Sequence, residues 1–157
     1  MEIDSKNLED TGLAAQKLLE HIRGLSANKK SNKDLSPEKL SIQSEQAVVV
    51  GLYGDLGSGK TAFTKIFAGL LGIKDVVSSP TFVIEKIYKI ENLENFSHLI
   101  HIDAYRLESE DEMKNLGWKE ILDNPQNIIL IEWPEKISGL MPENHICINF
   151  EHIDETS

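Results

Sequence analysis

Cysteine is almost missing from this chain. The single one, Cys147, excludes an intrachain disulfide and a cysteine-built zinc cluster. It sits in HICINF and reads as a small core residue. Arginine is nearly as scarce, with only Arg23 and Arg106. No apolar run approaches the length needed to cross a membrane. The opening residues MEIDSKNLED are polar and acidic, so no secretory leader and a cytoplasmic location are expected. Positive charge is in deficit: 16 Lys and Arg face 26 Asp and Glu, a net charge of −10. Such a chain is poorly suited to gripping a nucleic-acid backbone by itself, so any RNA in its biology would be held by a partner.

What remains is ordinary for a soluble globule. The chain has 157 residues, 40% of them hydrophobic and 27% charged. That is enough for one domain with a full core, residues 1–157. Asn7 to Ile22 carries Leu8, Ala15, Leu18, Leu19 and Ile22 at helical spacing. Residues 24–46 are rich in Ser, Asn and Lys and read as a mobile insertion, with a short helix expected after Ser36-Pro37. Buried strands are expected at Val48 to Tyr53, Asn127 to Trp133 and His145 to Ile153. Strand-like runs at Thr81 to Ile90 and Ser97 to Asp103 flank ENLEN, a hairpin turn. Acidic helical turns are expected from Glu108 to Leu122.

Gly54 to Thr61 reads GDLGSGKT and fits the phosphate-binding pattern G-x-x-x-x-G-K-[ST]. The strand-like AVVVGLY leads in, and AFTKIFAGLLG leads out as a helix ended near Gly72. Gly54, Gly57 and Gly59 permit backbone angles that let the amides of Asp55, Leu56, Gly57, Ser58 and Gly59 turn toward an anion. The helix beginning near Lys60 adds the positive end of its dipole. Lys60 would reach the β- and γ-phosphates, and Thr61 would offer a hydroxyl to magnesium. Alternating strands and helices around such a loop predict an α/β fold, a three-layer P-loop NTPase-like sandwich with a mixed central sheet.

A P-loop needs an acid at the tip of a neighbouring strand. Two runs end in one: LIHID at Asp103 and IILIE at Glu132. The residues alone leave the two unranked. In Ser79-Pro80-Thr81-Phe82, Thr81 could turn its hydroxyl to a γ-phosphate or simply begin a strand. Trp133 could border the nucleotide or only pack. Arg106 could meet a phosphate, a partner's carboxylate or a surface acid. The five histidines show no metal-ligand spacing and read as structural.

In order, LYGDLGSGKTAFTK, SSPTF, HIDAYRL, LGWKEIL and LIEWPEKI run from Leu52 to Ile137. Together they resemble the family of small bacterial ATPases of tRNA threonylcarbamoyladenosine biosynthesis, TsaE, also called YjeE. The resemblance implies an ATPase using ATP and Mg2+ within a complex of two related sugar-kinase-like subunits. One of these transfers the threonylcarbamoyl group to the adenosine beside the anticodon, so tRNA is met only through them. It further implies Thr61 and Glu132 as magnesium ligands and Asp103 as the acid for hydrolysis. Trp133 would lie near the nucleotide and Thr11 near its base. Residues 24–46 are longer than that family's pattern. A small-molecule kinase would close an arginine-bearing lid, for which two arginines are few. A GTPase would carry N-K-x-D, which the chain lacks in the required place.

Overall fold

The computed structural model describes residues 1–31, 46–55, 59–75 and 84–151. Its frame is a six-stranded sheet in the order β1-β6-β2-β5-β4-β3. The strands are β1 (Glu2–Ser5), β2 (Val48–Tyr53), β3 (Glu85–Lys89), β4 (His98–Asp103), β5 (Asn127–Glu132) and β6 (Ile146–Phe150). The helices are α1 (Leu8–Ser31), α2 (Lys60–Leu70), α3 (Glu110–Asn115) and α4 (Trp118–Leu122), and a 3-10 segment covers Pro134–Leu140. All neighbouring strands run parallel except β3, which pairs antiparallel with β4. This is the three-layer α/β sandwich with a mixed sheet that the sequence predicts.

Burial explains the strand order. Asn127–Glu132 is buried at every position, as befits a central strand covered on both faces. β3 alternates and lies at the sheet's edge, with Ile87 exposed. The turn between β3 and β4 is the expected ENLEN, where Asn95 takes a left-handed φ of 71°. Ile90 N–H donates to the Ser97 carbonyl at 2.9 Å and closes the hairpin.

Strand alternation sends successive side chains to opposite faces. One face packs Val50, Leu52, Leu99, Ile128 and Leu130 under α1 and α2. The other packs Val49, Ile100, Ile102, Ile129 and Ile131 under Met113, Trp118 and Ile137. Burial of these branched side chains is worth about 1.5–3 kcal/mol each before entropy is counted.

Helix α1 is capped by Asn7, whose Oδ1 accepts the Asp10 N–H at 2.8 Å. Ala15, Leu18, Leu19 and Ile22 form its buried stripe. It continues past the expected end, through Gly24 to Ser31. A helix-interior glycine costs only about 1 kcal/mol, which did not stop it. The remainder of the expected insertion, including the helix expected after Ser36-Pro37, lies outside the described residues. Helix α2 ends as expected: Ile73 N–H reaches the Ala68 carbonyl and Gly72 N–H the Gly69 carbonyl, both at 3.1 Å, around Gly72 at φ 73°.

One strand was not expected, and one expectation needs correction. The opening residues contribute the strand, with Glu2–Ser5 pairing parallel with β6. Ile3 and Ser5 are buried, while Glu2 and Asp4 face solvent. Cys147 is not a core residue. It sits half-buried on the opposite face of β6 from Ile146, Ile148 and Phe150. No helix among the described residues is long and apolar enough to cross a membrane.

Candidate functional site

The site is built at the carboxyl ends of the parallel strands, where ligands of open α/β sheets bind. β2 delivers the chain to Gly54. The chain then enters α2 through Gly59, whose φ of 104° favours glycine. A Cβ at Gly59 would meet only ordinary contacts, 3.7 Å from Thr11 Oγ1, so the torsion rather than space selects the residue. Residue Tyr53, just before Gly54, is pinned from the side. His145 Nδ1–H donates to the Pro142 carbonyl at 2.6 Å. Nε2 of that tautomer then accepts the Tyr53 hydroxyl at 2.8 Å. Burial, followed by the charges of Cys147 and Glu135, pushes the Tyr53 phenol up to about 12.

Lys60 opens α2 and is buried, at 5% exposure. Its Nζ donates to the Gly54 carbonyl at 2.6 Å and lies 4.0 Å above the Trp133 ring centroid. The ammonium is therefore held back along the loop with a cation–π contact behind it. Burial lowers its pKa, and the charges of Glu132, Glu135, Asp103 and Asp55 oppose that fall.

Asp103 and Glu132 are direct register partners across the β4–β5 pair. Strands at this spacing lie about 4.8 Å apart, so both carboxylates emerge side by side at the strand tips. Alternation places them on the α2 face. Asp103 accepts the Tyr105 N–H at 3.0 Å. Burial raises its pKa above the usual carboxylate value. The Tyr105 bond opposes that rise, Glu132 adds to it, and His101 and Lys60 oppose it. Trp133 follows Glu132 in a left-handed conformation, φ 58°, which turns the chain sharply into Pro134. Its ring meets that of exposed Tyr105 at a tilt of 49°, centroids 5.1 Å apart.

Four acids around one buried lysine do not make a welcoming site for a bare triphosphate. A divalent cation removes the conflict. Glu132 could supply a carboxylate oxygen and exposed Thr61 a hydroxyl in the first turn of α2, with Asp103 beside them. This hard-oxygen set fits Mg2+, which is typically held by one or two carboxylates plus substrate phosphates. Among the described residues, no group of three or more His, Cys, Asp or Glu side chains could hold an ion unaided.

The family model for threonylcarbamoyl adenosine biosynthesis protein TsaE matches residues 26–157. The chain belongs to the TsaE family. The TsaE protein of Haemophilus influenzae is 35% identical over 116 residues, covering 74% of this chain and 70% of that protein. That of Bacillus subtilis is 43% identical over 100 residues, covering 64% of this chain and 59% of the relative. The chain thus spans less than two thirds of the Bacillus protein. The crystal structure of Bacillus subtilis YdiB superposes with a TM-score of 0.54 at 30% identity, covering 77% of this chain and 75% of that one. These matches carry the P-loop NTPase fold and the TsaE assignment together.

Within this TsaE chain the structure brings Lys60, Asp103, Glu132 and Trp133 into one cluster. Thr11 stands against Gly59 across the base of α2, buried, its Oγ1 donating to the Asn7 carbonyl at 2.9 Å and paired with Ser5 Oγ at 2.7 Å. It precedes the span matched by the TsaE model, so its placement rests on β1 and α1 alone. Asp55 is exposed beside the cluster. Leu56, Gly57, Ser58 and Thr81 lie outside the described residues.

Sequence reasoning passed over Tyr105 as a ring partner of Trp133, Glu135 as a charge near Lys60 and His101 as a neighbour of Glu132. His101 is 1% exposed, with Nε2 3.6 Å from Glu132 Oε2. The signal for it was available: it stands two residues before Asp103 on a strand and so shares its face.

Proposed function

We propose that this protein is a magnesium-dependent ATPase serving threonylcarbamoyladenosine modification of tRNA. In this reading it works within the cytoplasm in a complex with the two sugar-kinase-like subunits, and tRNA is contacted through them. The observation that carries the reading is the pairing of Asp103 with Glu132 in register, on the same face as Lys60 at the start of α2.

Lys60 exchanges the Gly54 carbonyl for the β- and γ-phosphates. The Gly54 carbonyl is a neutral acceptor, so the exchange gains a charge-assisted bond. The amides of residues 55–59 cradle the phosphates. Thr61 and Glu132 hold Mg2+, which when bound neutralises phosphate charge and orients the transferred group. Asp103, raised in pKa by burial and held by Tyr105 N–H, positions and polarises the attacking water. Trp133 lies against the nucleotide with Tyr105 behind it. Thr81 approaches the γ-phosphate and Thr11 the base. Positioning and electrostatics supply most of the acceleration in such reactions.

The test is rescue of cells depleted of this protein, with tRNA nucleosides read by mass spectrometry. Wild type should restore threonylcarbamoyladenosine and Lys60→Ala should not. Rescue by Lys60→Ala would sink the reading.

A further inference from the structure

Among the described residues, His101 is the least explained buried group. Its neighbours along β4 are Leu99, Ile100 and Ile102, all buried, and its register partner on β5 is Leu130. An aliphatic side chain would fit that company. Instead an imidazole is sealed at 1% exposure, and neither Nδ1 nor Nε2 has a hydrogen-bond partner among the described residues. Buried polar atoms are almost always paired, and an exception calls for an explanation.

The direction of the ring supplies one. His101 is the diagonal neighbour of Glu132: it pairs with Leu130, two residues earlier on β5 and on the same face. Nε2 lies 3.6 Å from Glu132 Oε2, beyond a hydrogen bond by a few tenths of an ångström. The other polar groups of the cluster are already engaged, Asp103 by Tyr105 N–H and Lys60 by the Gly54 carbonyl. Glu132 is buried, at 5% exposure, with its carboxylate beside the His101 ring.

We infer that His101 is a positioning residue for Glu132. A small rotation of the carboxylate brings Oε2 onto Nε2–H and leaves Oε1 turned outward, toward the cation. That movement completes the hydrogen bond that the 3.6 Å separation leaves unmade. Groups that orient a ligating carboxylate in this way typically change metal affinity by about ten- to a hundredfold when removed. The inference rests on the reading of Glu132 as a metal ligand.

The experiment uses the full chain, with Mn2+ as probe and electron paramagnetic resonance as readout, in the presence of ADP. His101→Leu fills the space without a donor. His101→Gln keeps a donor of similar reach. His101→Leu should weaken Mn2+ binding about tenfold or more, and His101→Gln should recover most of it. Metal-free ADP affinity should be the same in all three proteins. The ligand-free His101→Leu protein should melt no lower than wild type, because it no longer buries an unpaired ring. Wild-type Mn2+ affinity in His101→Leu would overturn this inference alone. So would an equal loss of metal-free ADP binding, or a lowered melting temperature with unchanged Mn2+ affinity. A wild-type protein that binds no Mn2+ with ADP would overturn the metal site and this inference with it.

Discussion

Under α3, α4 and the 3-10 segment, the sheet buries Val49, Ile100, Ile102, Ile129 and Ile131 against Met113, Trp118 and Ile137. Asn127 is the one buried polar side chain on that side among the described residues, and it donates to the Ile121 carbonyl at 3.0 Å. The opposite face has a larger apolar set, yet it also encloses Ser5, Thr11, Lys60, Thr64, His101 and Glu132. The same two strands serve both sides. In β4, Ile100 and Ile102 face one way, while His101 and Asp103 face the other. Polar burial costs stability unless it is matched by partners. Its concentration on the α2 face sets the almost wholly apolar side apart from the side that carries the proposed nucleotide site.

That division can be broken or sharpened by substitution. The largest effect is expected at Lys60→Ala. ATP turnover and nucleotide affinity should fall at least about a hundredfold, measured by phosphate release and calorimetry. Unaltered turnover would remove the polar face's claim to chemistry. On the other side, Ile129→Ala should cost about 2–5 kcal/mol in denaturant unfolding. Its nucleotide affinity, measured below the transition, should match wild type. A comparable loss of affinity would mean that the two faces are not separable.

Asp103→Asn should act in opposite directions on activity and stability. Turnover should drop about a hundredfold or more. The carboxyl's raised pKa means that the folded chain favours its neutral form. Folded stability contributed by that neutral form is therefore greatest below the ordinary value of 3.8 and declines as pH rises through the raised one. At neutral pH the ligand-free Asp103→Asn protein should melt higher than wild type, and thermal melts from about pH 4 to pH 8 should show the gap opening with pH. A variant that melts lower throughout would contradict the assignment of strain to this carboxylate.

The smallest effect is expected at Tyr53→Phe, which removes the bond to His145 and should cost about 1 kcal/mol. Here the sign is that of a group held neutral by folding. Stability from the neutral phenol is fully present below 10.0 and is lost as pH rises toward about 12. Phenolate absorbance should show one tyrosine titrating late in wild type and not in the variant.

Much of this was legible in the chain because it was local. The uniform apolar runs of β2 and β5, the glycine pattern of the loop and the two acids at strand tips are each written in a few consecutive residues. Longer-range facts were not. Nothing in LIHID or IILIE says that Asp103 and Glu132 are register partners, which depends on β4 lying beside β5. The strand at Glu2–Ser5 escaped notice because it is four residues long and two of those are exposed acids. Its pairing with β6, reinforced by Cys147 N–H donating to the Met1 carbonyl at 2.9 Å, is what carries Thr11 to Gly59. The place of His101 beside Glu132 was not legible either, because only the pairing of β4 with β5 brings its ring within 3.6 Å of that carboxylate.

The in-register pairing of Asp103 with Glu132 also sets a rule about chain length. Side chains alternate along a strand, so losing or gaining one residue within β4 or β5 would send the terminal acid to the opposite face, among Ile102 and Ile131. The composition would be almost unchanged and the site would be gone. Changes by even numbers would keep the face but shift the acid along the strand, away from its partner. The loops around this sheet are free to lengthen in evolution, whereas these two strands are constrained in parity as well as in sequence.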